Sequence, residues 1–230
     1  MSIEIHLMGV KTRQANIDIL KQDLALTEDK IIYDDREVGG DALYTAIKAW
    51  ESLLNSEATH VMVIQDDAEV CNNFKTYVEQ IITNFPDKAF SLFPFDYQHY
   101  TDINKESPYY ETRICSAVAL VLPKKYLKDY VDFLKQQTEE KNDSTLFRLF
   151  CKDNNIQILT VLPALVQHLG DYSLVYGNAI IRKIESFNKD TPEWVNFNSK
   201  IINPIPKSEF SCWVDEQVKK SVNIVKSWVK

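Results

Sequence analysis

What the sequence lacks narrows its chemistry first. It has no apolar run approaching the ~20 residues that span a bilayer. Its four cysteines, Cys71, Cys115, Cys151 and Cys212, are widely spaced and form no CxxC pair. That argues against a zinc site or a disulfide framework and for reduced, partly buried thiols. No Gly-x-Ser-x-Gly elbow, Walker loop or HExxH occurs, so the ready readings as a serine hydrolase, an NTPase or a zincin fall away. Positive charge is short as well. A net charge of −7 disfavours a protein that coats a nucleic-acid backbone, though it leaves room for an enzyme that touches DNA briefly. The stretch Met1-Ser-Ile-Glu-Ile-His-Leu-Met-Gly9 has no basic region ahead of its apolar residues. It reads as a first strand rather than a signal peptide, and the expectation is a soluble, cytoplasmic protein.

What is present is ordinary globular material: 230 residues, 45% hydrophobic and 26% charged, enough for one sizeable α/β domain or two small ones. Strand-like runs fall at 3–10, 30–34, 60–65, 89–94, 115–122 and 156–162. Between them, helical spacing predicts helices over 14–24, 42–54, 72–84, 124–137 and 143–153. Residues 95–113 are aromatic, polar and irregular, a loop long enough to suggest function.

Alternating strands and helices predict a mostly parallel central sheet covered by helices on both faces. The expected division is a catalytic domain over 1–185 and an extension over 186–230 packed on it. The extension holds Trp194, Trp213 and Trp228 and ends in a helix. Ligands of such folds sit beyond the carboxyl ends of the strands, so the strand ends are the places to look: Met8, Gly9 and Val10, with Arg13 just beyond; Asp34 and Asp35; Asp66 and Asp67; and Pro163 to His168.

Each candidate has two readings. Adjacent carboxylates at a buried strand end, Asp66-Asp67, repel each other and are costly to desolvate. A magnesium or manganese ion relieves that cost and bridges diphosphate oxygens; alternatively, one aspartate caps a turn and the other is solvated. Asp34-Asp35 is a ribose- or base-binding end or a polar turn. Gly40, in Gly39-Gly40-Asp41 before a helix, offers backbone N–H groups to a phosphate or simply turns the chain. Asp143 is a helix N-cap or a general base for a hydroxyl. His168 is a structural histidine, a further metal ligand or a phosphate donor. In the aromatic loop, Tyr97, His99, Tyr109 and Tyr110 stack on a sugar or an extruded base, or pack the loop.

Taken in order, these pieces resemble a small nucleotide-sugar-dependent glycosyltransferase of the GT-A fold, of bacterial or phage type, over about residues 3–180. VMVIQDDAEV resembles that family's Asp-x-Asp region, in its variant with an acidic residue before Asp-Asp; Gln65 departs from that first position. Pro163-Ala-Leu-Val-Gln-His-Leu-Gly170 followed by Tyr172-Ser-Leu resembles its late Pro-x-Leu-Val-x-His-x-Gly-x-x-Ser segment. The resemblance implies a divalent cation on Asp67 and His168, with Asp66 nearer the sugar or ribose and Asp143 as base. It implies transfer of a sugar from a nucleotide diphosphate donor to the hydroxyl of a saccharide or of a hydroxymethylated base in phage DNA. A base opposite the leaving group implies inversion.

Two other readings stand beside this one. A nucleotidyltransferase shares the metal and diphosphate logic, but Gly9-Val-Lys-Thr-Arg13 is poor in glycine for its phosphate loop. A non-catalytic nucleotide-sugar-binding module is the other, against which the intact Asp66, Asp67, Asp143 and His168 argue.

Overall fold

A computed structural model describes residues 1–36, 42–93, 109–111 (backbone only), 115–138, 142–161, 164–169, 187, 189 and 190. The predicted α/β architecture is present. The strands are β1 (Ile3–Gly9), β2 (Ile31–Tyr33), β3 (His60–Gln65), β4 (Ala68–Val70), β5 (Ala89–Ser91), β6 (Tyr109–Glu111), β7 (Ala119–Pro123), β8 (Ile158–Val161) and β9 (Val166–His168). The helices are α1 (Gln14–Asp23), α2 (Ala42–Ser52), α3 (Phe74–Asn84), α4 (Leu127–Lys135) and α5 (Asp143–Asp153). The central sheet has the order β2-β1-β3-β7-β5-β8-β6. It is mostly parallel: β2, β1, β3, β5 and β8 run one way, and β7 and β6 run against them.

Alternation along the strands divides the core in two. Ile3, Ile5 and Leu7 of β1 and Met62 and Ile64 of β3 face Ile17 and Leu20 of α1 and Phe74, Val78 and Ile82 of α3. Val61 and Val63 of β3 face the other way, onto Leu43, Ala46 and Trp50 of α2, Tyr130 of α4 and Phe147 of α5. The rings on that side interlock. Trp50 meets Tyr130 edge-on at 5.3 Å, and Tyr130 meets Phe147 edge-on at 5.5 Å. Cys71, Cys115 and Cys151 are buried free thiols, as the spacing suggested.

Several boundaries differ from those read in the sequence. The expected strand over 115–122 begins only at Ala119; just before it, the Val118 carbonyl accepts from the Gln65 N–H at 2.9 Å. The loop taken as irregular contains β6, which pairs antiparallel with β8. Two short strands went unread. β4 and β9 form a separate antiparallel ribbon with Ala68 opposite His168 and Val70 opposite Val166. Three residues are too few for periodicity to register.

Of the expected extension over 186–230, only Phe187, Lys189 and Asp190 lie within the described residues. Phe187 packs on the core, and Lys189 pairs with Glu69 at 3.3 Å and Asp23 at 3.6 Å.

Candidate active site

The carboxyl ends of the parallel strands gather the candidate residues. β3 ends at Gln65, and the chain turns through Asp66 and Asp67 into β4. Both aspartates are buried, with 4% and 8% of their surface exposed. Asp66 points back at the first strand end. Its Oδ2 accepts from the Val10 N–H at 2.7 Å and its Oδ1 from Arg13 Nη1 at 2.9 Å. The approach is close enough to dictate glycine at position 9, since a Cβ there would stand 2.7 Å from both Cβ and Oδ2 of Asp66. Arg13 is placed by a 3-10 turn, Lys11–Arg13, between β1 and α1. The same Nη1 donates to Asp67 Oδ2, also at 2.9 Å, so one guanidinium nitrogen bridges the two carboxylates.

The β4–β9 ribbon supplies the histidine. Its register sets His168 beside Asp67, and the Leu169 N–H donates to the Asp67 carbonyl at 2.6 Å. His168 Nε2 stands 3.3 Å from Asp67 Oδ2. Burial works against the Asp67 carboxylate, but His168 and Arg13 outweigh it and hold its pKa below the ordinary value. On Asp66 burial prevails over the Val10 and Arg13 contacts and pushes the pKa up. Two buried atoms at this spot have no hydrogen-bond partner: Asp67 Oδ1 and His168 Nδ1. A buried carboxylate oxygen of this kind has room for a water or an ion as its partner.

Asp143 arrives from the opposite end of the chain. It is the first residue of α5. The reading of Asp143 as an N-cap is corrected. Asn142 caps the helix, accepting from the Thr145 N–H at 3.0 Å and the Ser144 hydroxyl at 2.6 Å. Asp143 instead turns toward β3, where its Oδ2 accepts from Gln65 Nε2 at 3.3 Å, while Oδ1 accepts from the Ser144 N–H at 2.9 Å. Burial raises its pKa to about 6, with the Asp67 charge adding to the effect and the Ser144 and Gln65 hydrogen bonds opposing it.

Other expected residues stand apart from this cluster. Asp34 is near in backbone, its N–H donating to the Gly9 carbonyl at 2.9 Å. Its carboxylate is gripped by Arg36, through Nε at 2.9 Å and Nη2 at 2.6 Å, which pulls its pKa down to about 2. Asp35 is turned to Lys48 at 2.8 Å and the Tyr44 hydroxyl at 3.2 Å. Met8 is buried at 7% and packs among the α2-side core residues. The Val10 N–H, expected to meet the donor, is taken by Asp66. Gly40, Tyr97 and His99 lie outside the described residues, as do the side chains of Tyr109 and Tyr110, whose backbone forms β6. Gln65 was singled out in the sequence only as a departure from a motif; the structure gives it a partner in Asp143.

No family model matches the chain, and no curated protein matches it in sequence. Among solved structures, it is similar to a Drosophila β-1,4-galactosyltransferase 7 mutant in complex with manganese, UDP-Gal and xylobiose, at 7% identity, covering 71% of each chain with a TM-score of 0.44. It is also similar to a mannose-1-phosphate geranyltransferase from Thermus thermophilus, at 8% identity, covering 70% of this chain and 74% of that one, TM-score 0.38. A third is a Bacillus anthracis protein assigned as a glucose-1-phosphate thymidylyltransferase, at 10% identity, covering 71% of this chain and 69% of that one, TM-score 0.40. Identities this low concern the fold alone.

Proposed function

We propose that this protein is a metal-dependent glycosyltransferase that moves a sugar from a nucleotide diphosphate sugar to an acceptor hydroxyl, on a saccharide or on a hydroxymethylated base in DNA. The observation that carries the reading is the joint placement of Asp66, Asp67, Arg13, His168 and Asp143 at one edge of the sheet. Two charge systems meet there. One is an acidic pair with a histidine, and the other is a single half-buried carboxyl whose pKa is raised to about 6.

The residues fit a divalent cation. Asp67 has a buried oxygen without a partner, and His168 Nε2 lies 3.3 Å from its other oxygen. No group of three or more His, Cys, Asp or Glu residues suited to a metal occurs among the described residues. A sparse set of this kind suits magnesium or manganese, which keeps several waters and takes its remaining oxygens from a diphosphate. Asp67 and His168 would hold the ion, which would supply charge stabilisation for a departing diphosphate.

The remaining work belongs to side chains. Asp143 accepts the proton of the acceptor hydroxyl, and its raised pKa of about 6 suits a base that must gain a proton near neutrality. Gln65 holds that carboxylate toward β3. Asp66 fixes the β1–α1 turn, and with it Arg13, against the acidic pair. A base on the face opposite the leaving group gives inversion of the sugar.

Thermal shift with a panel of nucleotide sugars, with and without manganese, tests the proposal. Manganese-dependent stabilisation by a nucleoside diphosphate sugar, abolished in Asp67→Asn, is expected. Stabilisation by nucleoside triphosphates alone would point to nucleotidyl transfer instead, and no response in any condition would remove both.

A further inference from the structure

Resting on the reading of Asp67 and His168 as a cation site, we infer that Arg13 is the internal counter-ion of that site and must release the Asp66–Asp67 pair when a divalent cation binds. Arg13 is thus a placeholder whose departure is coupled to metal loading.

The starting point is charge. The two adjacent aspartates are buried, with 4% and 8% of their surface exposed. Unpaired, they would repel each other and suffer the full cost of desolvation. Arg13 meets one oxygen of each at 2.9 Å, which leaves the trio with a single net negative charge. A divalent ion added to the intact trio would make it net positive, with ion and guanidinium crowded on the same Asp67 oxygen. Added in place of Arg13, it neutralises the pair.

The form of the grip suits release. Arg13 uses a single nitrogen, Nη1, on both carboxylates. Arg36 contrasts with it, closing on Asp34 through Nε and Nη2 onto both oxygens, the fork arrangement that makes Arg–carboxylate pairs strong and directional. The Arg13 side chain is 20% exposed. Asp66 keeps the Val10 N–H when Arg13 leaves, and Asp67 would share the cation with His168, whose Nε2 lies 3.3 Å from it. Neither carboxylate is stranded by the exchange. A guanidinium that has let go remains tethered beside the diphosphate site, where a fixed positive charge complements the donor.

Isothermal titration with manganese alone at pH 7.5 reads the coupling without any substrate. Arg13→Gln removes the charge and keeps a hydrogen-bonding side chain. It is expected to bind manganese on the order of tenfold more tightly than the unaltered protein. Equal or weaker binding by the variant overturns the inference and leaves the cation site standing. No manganese binding by either protein removes the cation site and the inference together.

A second measurement needs no variant. In arginine-15N-labelled protein titrated with magnesium, the Arg13 guanidinium signals should lose their restricted, hydrogen-bonded character as the His168 ring signals move. Histidine signals that move while those of Arg13 stay fixed would overturn the inference.

Discussion

Gln65 donates from Nε2 to Asp143 Oδ2 at 3.3 Å across 78 residues of sequence. The bond ties the strand that ends in the acidic pair to the start of α5, so the proposed base and the proposed cation site share one rigid connection. It also explains the amide at position 65. A glutamate there would set a second carboxylate against Asp143, whereas glutamine offers it a donor.

The first prediction concerns pH. A base works ionised, so turnover should fall as pH drops through the Asp143 pKa of about 6. A pH–rate profile with an acid limb near 6, lost together with most of the activity in Asp143→Asn, is the expected result. A rate unchanged down to pH 4.5 would exclude Asp143 as the base.

The same group should carry a stability cost. Its native pKa of about 6 lies above the ordinary 3.8, so between those values the native state binds more protons than the unfolded chain. Stability is therefore fully present below about pH 4 and is lost as pH rises through 6, on the order of 2–3 kcal/mol in all. Asp143→Asn should be more stable than the unaltered protein at pH 8 by that order and no more stable at pH 4. Denaturant melts at the two pH values check this.

Gln65→Glu should move the acid limb upward, by about one pH unit or more, because two carboxylates in contact do not ionise together. A profile unmoved by the change would mean that the bond from Gln65 does not govern Asp143.

Gly9→Ala should damage the site through packing alone. The new Cβ would lie 2.7 Å from Asp66 Cβ, an atom with little freedom to yield. A loss of about 1–3 kcal/mol in stability, accompanied by weaker manganese binding, is expected from melts and titration. Unchanged stability would mean that the β1 end relaxes freely.

Much of the fold was legible because the strands and helices that carry it are long and strongly patterned. β1 alternates and then runs apolar, β3 is a near-continuous apolar run, and α2, α3 and α5 show their buried residues at helical spacing. Short pieces were not legible. The β4–β9 ribbon has three residues per strand, and its pairing joins positions 96 to 100 apart, including Ala68 with His168. No local signal announces such a pairing.

The site divides in the same way. Asp66, Asp67 and His168 were conspicuous as residue types at strand ends. What each aspartate touches was not readable, since Arg13 reaches the pair from 53 and 54 residues away and Val10 reaches Asp66 from 56. Asp143 was read with a helix cap as one option, and the structure assigns that task to its neighbour Asn142. Asp34 looked as available as Asp66 in sequence, but Arg36, two residues on, closes around it.

The most direct test of the central claim is phosphorus NMR of the protein with manganese, candidate nucleotide sugars and acceptor hydroxyls. The account predicts release of a nucleoside diphosphate, dependent on manganese and abolished by Asp67→Asn. Pyrophosphate release from a nucleoside triphosphate and a sugar phosphate, with nucleotide sugars left untouched, would contradict it.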